Sequence, residues 1–128
     1  MGGSVEVMTT KIGDLIMVNL DTTDPAGAAG FYSAVLGWEV TASADEYAMI
    51  SDGQTSIGFG KVEGYQPPPW PDPNGQKRYH IDVYVDDLDA AEKECVALGA
   101  TVPEFQPGST WRVLLDPNGQ PFDVCLRS

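Results

Sequence analysis

The chain repeats itself, and the repeat limits what it can fold into. Ile16-Met17-Val18-Asn19-Leu20 leads to Asp24-Pro25 and an Ala-rich stretch that stops at Leu36-Gly37. Ile81-Asp82-Val83-Tyr84-Val85 leads to Asp87-Leu88 and a second such stretch that stops at Leu98-Gly99. Each half reads as an alternating strand, an aspartate at a helix start, a helix, and a glycine that ends it. Asp24 and Asp87 lie 63 positions apart and Gly37 and Gly99 lie 62 apart, so the second helix is shorter by one residue. Three short strand-like runs follow each helix: 38–43, 47–51 and 56–62, then 101–105, 111–115 and 122–127. Turn chemistry separates them, most clearly at Gln106-Pro107-Gly108 and Asp116-Pro117-Asn118-Gly119. The expectation is an α+β fold in which two βαβββ modules form one curved mixed sheet around a cleft, with the helices outside.

At 128 residues the chain has the length of one domain. The expected division is a loose tail over residues 1–9 and one domain over 10–128. Within it, module one spans 12–62, a linker 63–76, and module two 77–127. The linker carries five prolines, which favour extended structure and cannot continue a sheet interior, so it should run as a surface strap. Tyr65 and Trp70 within it either close one end of the cleft or pack the strap down.

Period two assigns faces to the strands. Ile16, Val18 and Leu20, then Ile81, Val83 and Val85, and Phe122, Val124 and Leu126 form apolar rows that belong under helices. Met17 and Asn19, His80, Asp82 and Tyr84, and Asp123 and Cys125 then share the concave side. Arg112 alternates with apolar neighbours on both sides, so its face is open: it anchors an anionic ligand group or pairs with Asp82 or Asp123.

Nineteen acids against seven bases leave a net charge of −12, which repels nucleic acid and anionic membranes and excludes both as partners. No apolar run has the length of a membrane span, and the start lacks the basic and apolar segments of a secretory signal, so a cytoplasmic location is expected. Cys95 and Cys125 have no metal or redox spacing and are expected as two buried thiols.

These residues resemble a known family. Asp24-Pro25, Phe31-Tyr32 and Leu36-Gly37-Trp38 in the first half, with His80-Ile81-Asp82, Asp87-Leu88, Leu98-Gly99, Trp111, Asp116-Pro117-Asn118-Gly119 and Phe122-Asp123 in the second, look like the vicinal-oxygen-chelate superfamily. That group contains glyoxalase I, extradiol dioxygenases, fosfomycin-modifying enzymes and bleomycin-resistance proteins. The resemblance implies a divalent metal held by His, Glu or Gln on the first, fourth, fifth and eighth strands. His80 and Asp123 take the fifth and eighth positions, but Met17 takes the first, and Ser56–Lys61 offers no donor for the fourth. Two donors from one half make no tight site, so no cofactor is expected, and His80 should hydrogen-bond within the cleft, with Asp123 as the candidate partner.

The branch that then fits is the drug-binding one: a protein that sequesters a flat or cationic small molecule without transforming it. Aromatic rings near the expected cleft are suited to stacking on such a ligand. The expected ligand-binding set is Met17, Asn19, Trp38, Phe59, Tyr65, Trp70, His80, Asp82, Tyr84, Trp111, Arg112 and Asp123, although Trp38 suits the core as well. The alternative is an enzyme: a metal-dependent lyase or dioxygenase, or a metal-free catalyst with His80 and Asp123 as acid and base. The resemblance also implies a homodimer.

Overall fold

A computed structural model describes residues 13, 15–74 and 78–127; the expected tail and the last part of the linker lie outside them. Along the chain run β1 (Met17–Thr22), α1 (Pro25–Leu36), β2 (Glu39–Ser43), β3 (Tyr47–Ser51), β4 (Ser56–Lys61), β5 (Asp82–Val85), α2 (Leu88–Ala97), β6 (Trp111–Leu115) and β7 (Pro121–Leu126). The α+β class and the paired modules are as expected. The single sheet is divided, however: β1-β4-β3-β2 form one mixed sheet and β5-β7-β6 the other. The strand expected over 101–105 shrinks to one bridge, Thr101 to Leu115. Pro103 and Pro107 interrupt that stretch, and Gln106 takes over its partners, accepting from the Val113 N–H and donating to the Val113 and Pro103 carbonyls.

Both helices start and stop for the reasons their sequences suggest. Asp24 caps α1 by accepting from the Gly27 N–H at 3.1 Å, with Pro25 in the first turn, where no N–H is missed. Asp87 caps α2 through the Ala90 N–H at 3.0 Å. Gly37 ends α1 at φ 71°, a left-handed conformation that costs a larger residue.

The core lies between helices and sheets and is shared by the two modules. The Tyr32 ring stacks on Phe59 of β4 at 5.6 Å, while Phe31 and Tyr32 meet Phe122 of β7 edge-on at 5.6 and 5.8 Å. Such ring pairs contribute about 0.5–1.5 kcal/mol each beyond their buried area. Phe59, Phe122, Ile50 and Val124 are sealed from solvent.

A polar joint closes this core. The Tyr32 hydroxyl of α1 donates to Asp116 Oδ2 at 2.8 Å, and Asp116 Oδ1 accepts from the Asn118 and Gln120 N–H groups at 2.8 and 2.9 Å. Asp116 begins the Asp-Pro-Asn-Gly turn, so its carboxylate builds that turn and ties it to the opposite module. Thr23 adds a second tie through Asn118 Oδ1 at 2.7 Å. The strap docks on the same turn: Tyr65 donates to Gln120 Oε1 at 2.6 Å, and Gly119, at φ 89°, leaves no room for a Cβ beside Pro67.

Burial raises the Asp116 carboxyl above the ordinary carboxylate range, against the pull of its hydrogen bonds, and burial also raises the Tyr32 phenol. Tyr32→Phe should therefore destabilise the fold by about 1–3 kcal/mol in urea unfolding, because it strips a donor from a buried carboxylate. A carboxyl raised in the folded state stabilises below its unfolded pKa and loses that contribution as pH rises through the folded value. Wild-type stability should thus carry a falling component from about pH 4 upward that Asp116→Asn lacks, as read by urea midpoints across pH 4–7.

Candidate functional site

Strand alternation turns two rows of side chains away from the helices. In module one, Met17 pairs in register with Ser56, Asn19 with Gly58 and Asp21 with Gly60. In module two, Asp82 pairs with Asp123 and Tyr84 with Cys125, while Val113 and Trp111 of β6 face Asp123 and Cys125. His80, two residues before Asp82, lies on the same face.

Two depressions lie along these rows. A cavity of about 530 Å³ runs under the strap, lined by Asn19, Leu20 and Asp21 of β1, by Tyr65 to Pro69, and by Arg78, Tyr79 and Gln120. Burial and the nearby Asp21 and Asp116 raise the Tyr65 phenol, so it stays a neutral donor. A more open hollow of about 400 Å³ covers module two, lined by Asp82, Thr110, Trp111, Asp123, Cys125 and Leu126. His80 stands in the chain between Tyr79, on the first, and Asp82, on the second.

His80 is the centre of the charged chemistry. Its Nε2 lies 3.2 Å from Asp82 Oδ1 and 3.5 Å from Asp123 Oδ2, and its Nδ1 lies 3.2 Å from the Arg78 carbonyl oxygen. The expected pairing with Asp123 is present, and Asp82 joins it. These three residues offer ligand atoms within 4.8 Å of one another.

The cross-module metal arrangement of the resembled family does not fit this chain. A side chain grown from Gly58, on the fourth strand, would run into Asn19 Oδ1 and come within 3.1 Å of Met17 Sδ. Asn19 and Met17 of β1 therefore occupy the space over Gly58 in which a longer fourth-strand donor would stand.

The remaining expected ligand residues separate. Asn19 and Tyr65 line the strap cavity, and Asp82, Trp111 and Asp123 line the hollow. Met17 lies against Gly58, and the exposed Tyr84 ring carries Arg127 at 5.7 Å from its centroid. Four of the expected residues lie away from both depressions. Phe59 is core, since Ile57 and Phe59 alternate toward α1 while Gly58 and Gly60 take the open face. Trp38 packs on the margin of that core. Trp70 meets Phe105 at 6.4 Å, packing the strap down. Arg112 shares the face of Val124 and binds Asp89 at 2.7 Å and Glu92 at 2.9 Å on α2, not Asp82 or Asp123.

Cys95 is buried, with its thiol raised by that burial; Cys125 is only half-buried, and neither forms a disulfide. Asp21 and Gln120 escaped the sequence reading. Asp21 continues the Met17–Asn19 alternation and was legible in principle; Gln120 reaches the cavity only because the strap docks on its turn.

Comparison with known proteins agrees with this architecture. A glyoxalase-like domain profile matches residues 17–125. The glyoxylase-named CFP32 proteins of Mycobacterium bovis and Mycobacterium tuberculosis are 32% identical over 126 residues, covering 91% of this chain and 45% of theirs. The chain thus spans about half the length of the curated relatives it matches. A glyoxalase/bleomycin resistance protein/dioxygenase family enzyme from Burkholderia phytofirmans PsJN superposes with a TM-score of 0.67 at 22% identity, covering 89% of this chain and 98% of that one. The fosfomycin resistance protein FosX of Listeria monocytogenes gives a TM-score of 0.67 at 14% identity, with 92% and 96% covered. At these identities the structural likeness concerns the fold alone. No helix among the described residues is long and apolar enough to cross a membrane.

Arg112→Met tests this pairing: it should cost about 0.5–2 kcal/mol in urea unfolding, reduced at high salt.

Proposed function

Because the chain belongs to the glyoxalase-like domain family, we propose that it binds a compact aromatic or cationic organic molecule beneath the proline strap and releases it unchanged, in the manner of antibiotic sequestration. The observation that carries this reading is the strap cavity itself: about 530 Å³, inside the range of small-molecule sites, with a carboxylate, a guanidinium, two phenols and three amides among rigid proline walls. Proline limits the conformations the strap loses on binding, which favours affinity without new contacts. Asp21, in a chain of net charge −12, favours a cationic group. The bleomycin and fosfomycin resistance names among the fold neighbours support a drug-like ligand.

On this reading the working unit is a cytoplasmic homodimer. The exposed apolar run Leu15, Ile16 and Val18 at β1 supports cover by a second chain.

A second reading, acid/base or metal-dependent catalysis through His80 and Asp123, is favoured by the cluster these residues form with Asp82. There His80 would move the proton, and the carboxylates would orient its ring.

Titration calorimetry with metal-free bleomycin and with fosfomycin, followed by mass spectrometry of the recovered compound, separates the two. The binding reading expects one-to-one association, unaltered compound, and a loss of roughly fivefold or more in Tyr65→Ala and in Asp21→Asn. A changed compound whose formation stops in His80→Ala would establish catalysis instead.

A further inference from the structure

We infer that the molecule bound beneath the strap is a zwitterion, with its cationic group toward Asp21 and a carboxylate toward Arg78. This rests on the strap cavity being the binding site and adds a second charge to the ligand.

The backbone at Arg78 is the first argument. Its φ of 59° lies in the left-handed region, and among the described residues Arg78 alone enters that region without being glycine. Two side chains hold the segment there. The His80 ring Nδ1 lies 3.2 Å from the Arg78 carbonyl oxygen, and Gln120 Nε2 donates to the Tyr79 carbonyl oxygen at 3.4 Å. Gln120 is itself buried, and its Oε1 accepts from the Tyr65 hydroxyl at 2.6 Å. An unfavourable backbone conformation persists only where its surroundings over-determine it, and such positions gather at ligand clamps. The segment held in this way lines the same cavity as Asp21.

Charge is the second argument. Acids outnumber bases nineteen to seven, and the other described arginines are taken. Arg112 binds Asp89 and Glu92 at 2.7 and 2.9 Å, and Arg127 binds Asp86 at 3.0 Å. No described carboxylate lies within ion-pair distance of the Arg78 guanidinium, Asp21 included, and no described cation pairs with Asp21. Two opposite charges thus line one cavity of about 530 Å³ without neutralising each other. A ligand with a single charge would satisfy one of them and strip water from the other without replacing it. A ligand with both charges satisfies both.

The chemistry of each group sets the polarity. A guanidinium fork donates two parallel hydrogen bonds to a carboxylate, a geometry no ammonium group matches. The chain's net charge of −12 opposes a purely anionic ligand, and an ammonium group beside Asp21 offsets that repulsion. Between the two charges, Tyr65 and the strap prolines offer flat apolar surface.

The test uses two fragments that each carry one of the charges, sodium benzoate and benzylammonium chloride. They are titrated separately and together into the complete chain at low ionic strength, with ¹H–¹⁵N spectra following the amides of Asp21, Tyr65, Tyr79 and Gln120. Each fragment should bind, and saturation with one should not weaken the other. Arg78→Gln should weaken benzoate by about fivefold or more and leave benzylammonium within about twofold, and Asp21→Asn should do the reverse. Arg127→Gln removes an equal charge away from the cavity and should change neither by more than about twofold. Arg78 and Asp21 are exposed, and far-UV circular dichroism confirms the fold of each variant. The inference is overturned if either fragment fails to bind at tens of millimolar, if the two compete, or if Arg78→Gln affects benzoate no more than Arg127→Gln does. Tyr65→Ala separates this from the cavity reading. Fragments that bind but ignore Tyr65→Ala sit elsewhere and sink both readings, whereas fragments that weaken in Tyr65→Ala and ignore Arg78→Gln sink the zwitterion alone.

Discussion

The hydrogen bond between Tyr32 and Asp116 is the buried polar link between parts of the molecule that otherwise meet through apolar contacts and the exposed Thr23–Asn118 bond. Asp116 uses one oxygen to shape its own turn and the other to receive the phenol of a helix in the opposite module. A buried carboxylate is costly to leave unsatisfied, so this pairing sets how α1, the Asp116–Gln120 turn and the start of β7 sit relative to one another. The strap follows from that arrangement. Tyr65 and Pro67 land on Gln120 and Gly119 because the turn presents them, and the cavity beneath the strap takes its shape from where they land.

The two modules share a backbone plan and diverge in chemistry on their open faces. In module one Gly58 and Gly60 clear the surface, and Asn19 and Met17 settle into part of that space, leaving a wall without clustered charge. In module two His80, Asp82 and Asp123 gather charge on adjacent strands. Differences in side-chain size and charge at register-paired positions therefore separate a smooth wall from a polar cluster within one fold.

Much of the fold was legible because it rests on local rules. Asp24 and Asp87 cap helices by reaching their own backbone, and Gly37 ends one because of its φ; neither depends on distant residues. Alternation also placed Met17, Asn19, Asp82 and Asp123 on the open face and Val83, Val124 and Phe122 on the other. Alternation misled at the strand ends, where Ile16, Val18 and Leu126 are exposed instead of lying under a helix, and where it was not followed through. Phe59 was grouped with cleft aromatics although its neighbours are the glycines of the open row. The strand over 101–105 failed partly for a reason the sequence shows, Pro103, and partly for one it does not: Gln106 intercepts the Val113 backbone groups that a strand would have used.

By itself the sequence determined the repeat, the caps, the strand faces and the acidic charge, since each depends on residues close in the chain or on composition alone. Tertiary structure decided the long-range matters. It sent Arg112 to Asp89 and Glu92, because a residue in a strand with apolar neighbours on both sides takes whichever face offers it carboxylates. It added Asp82 to the pair His80 and Asp123, because strand register, which no local pattern specifies, brings β5 beside β7. It also placed the strap over β1, because the docking turn is built by a carboxylate whose partner lies 84 residues away.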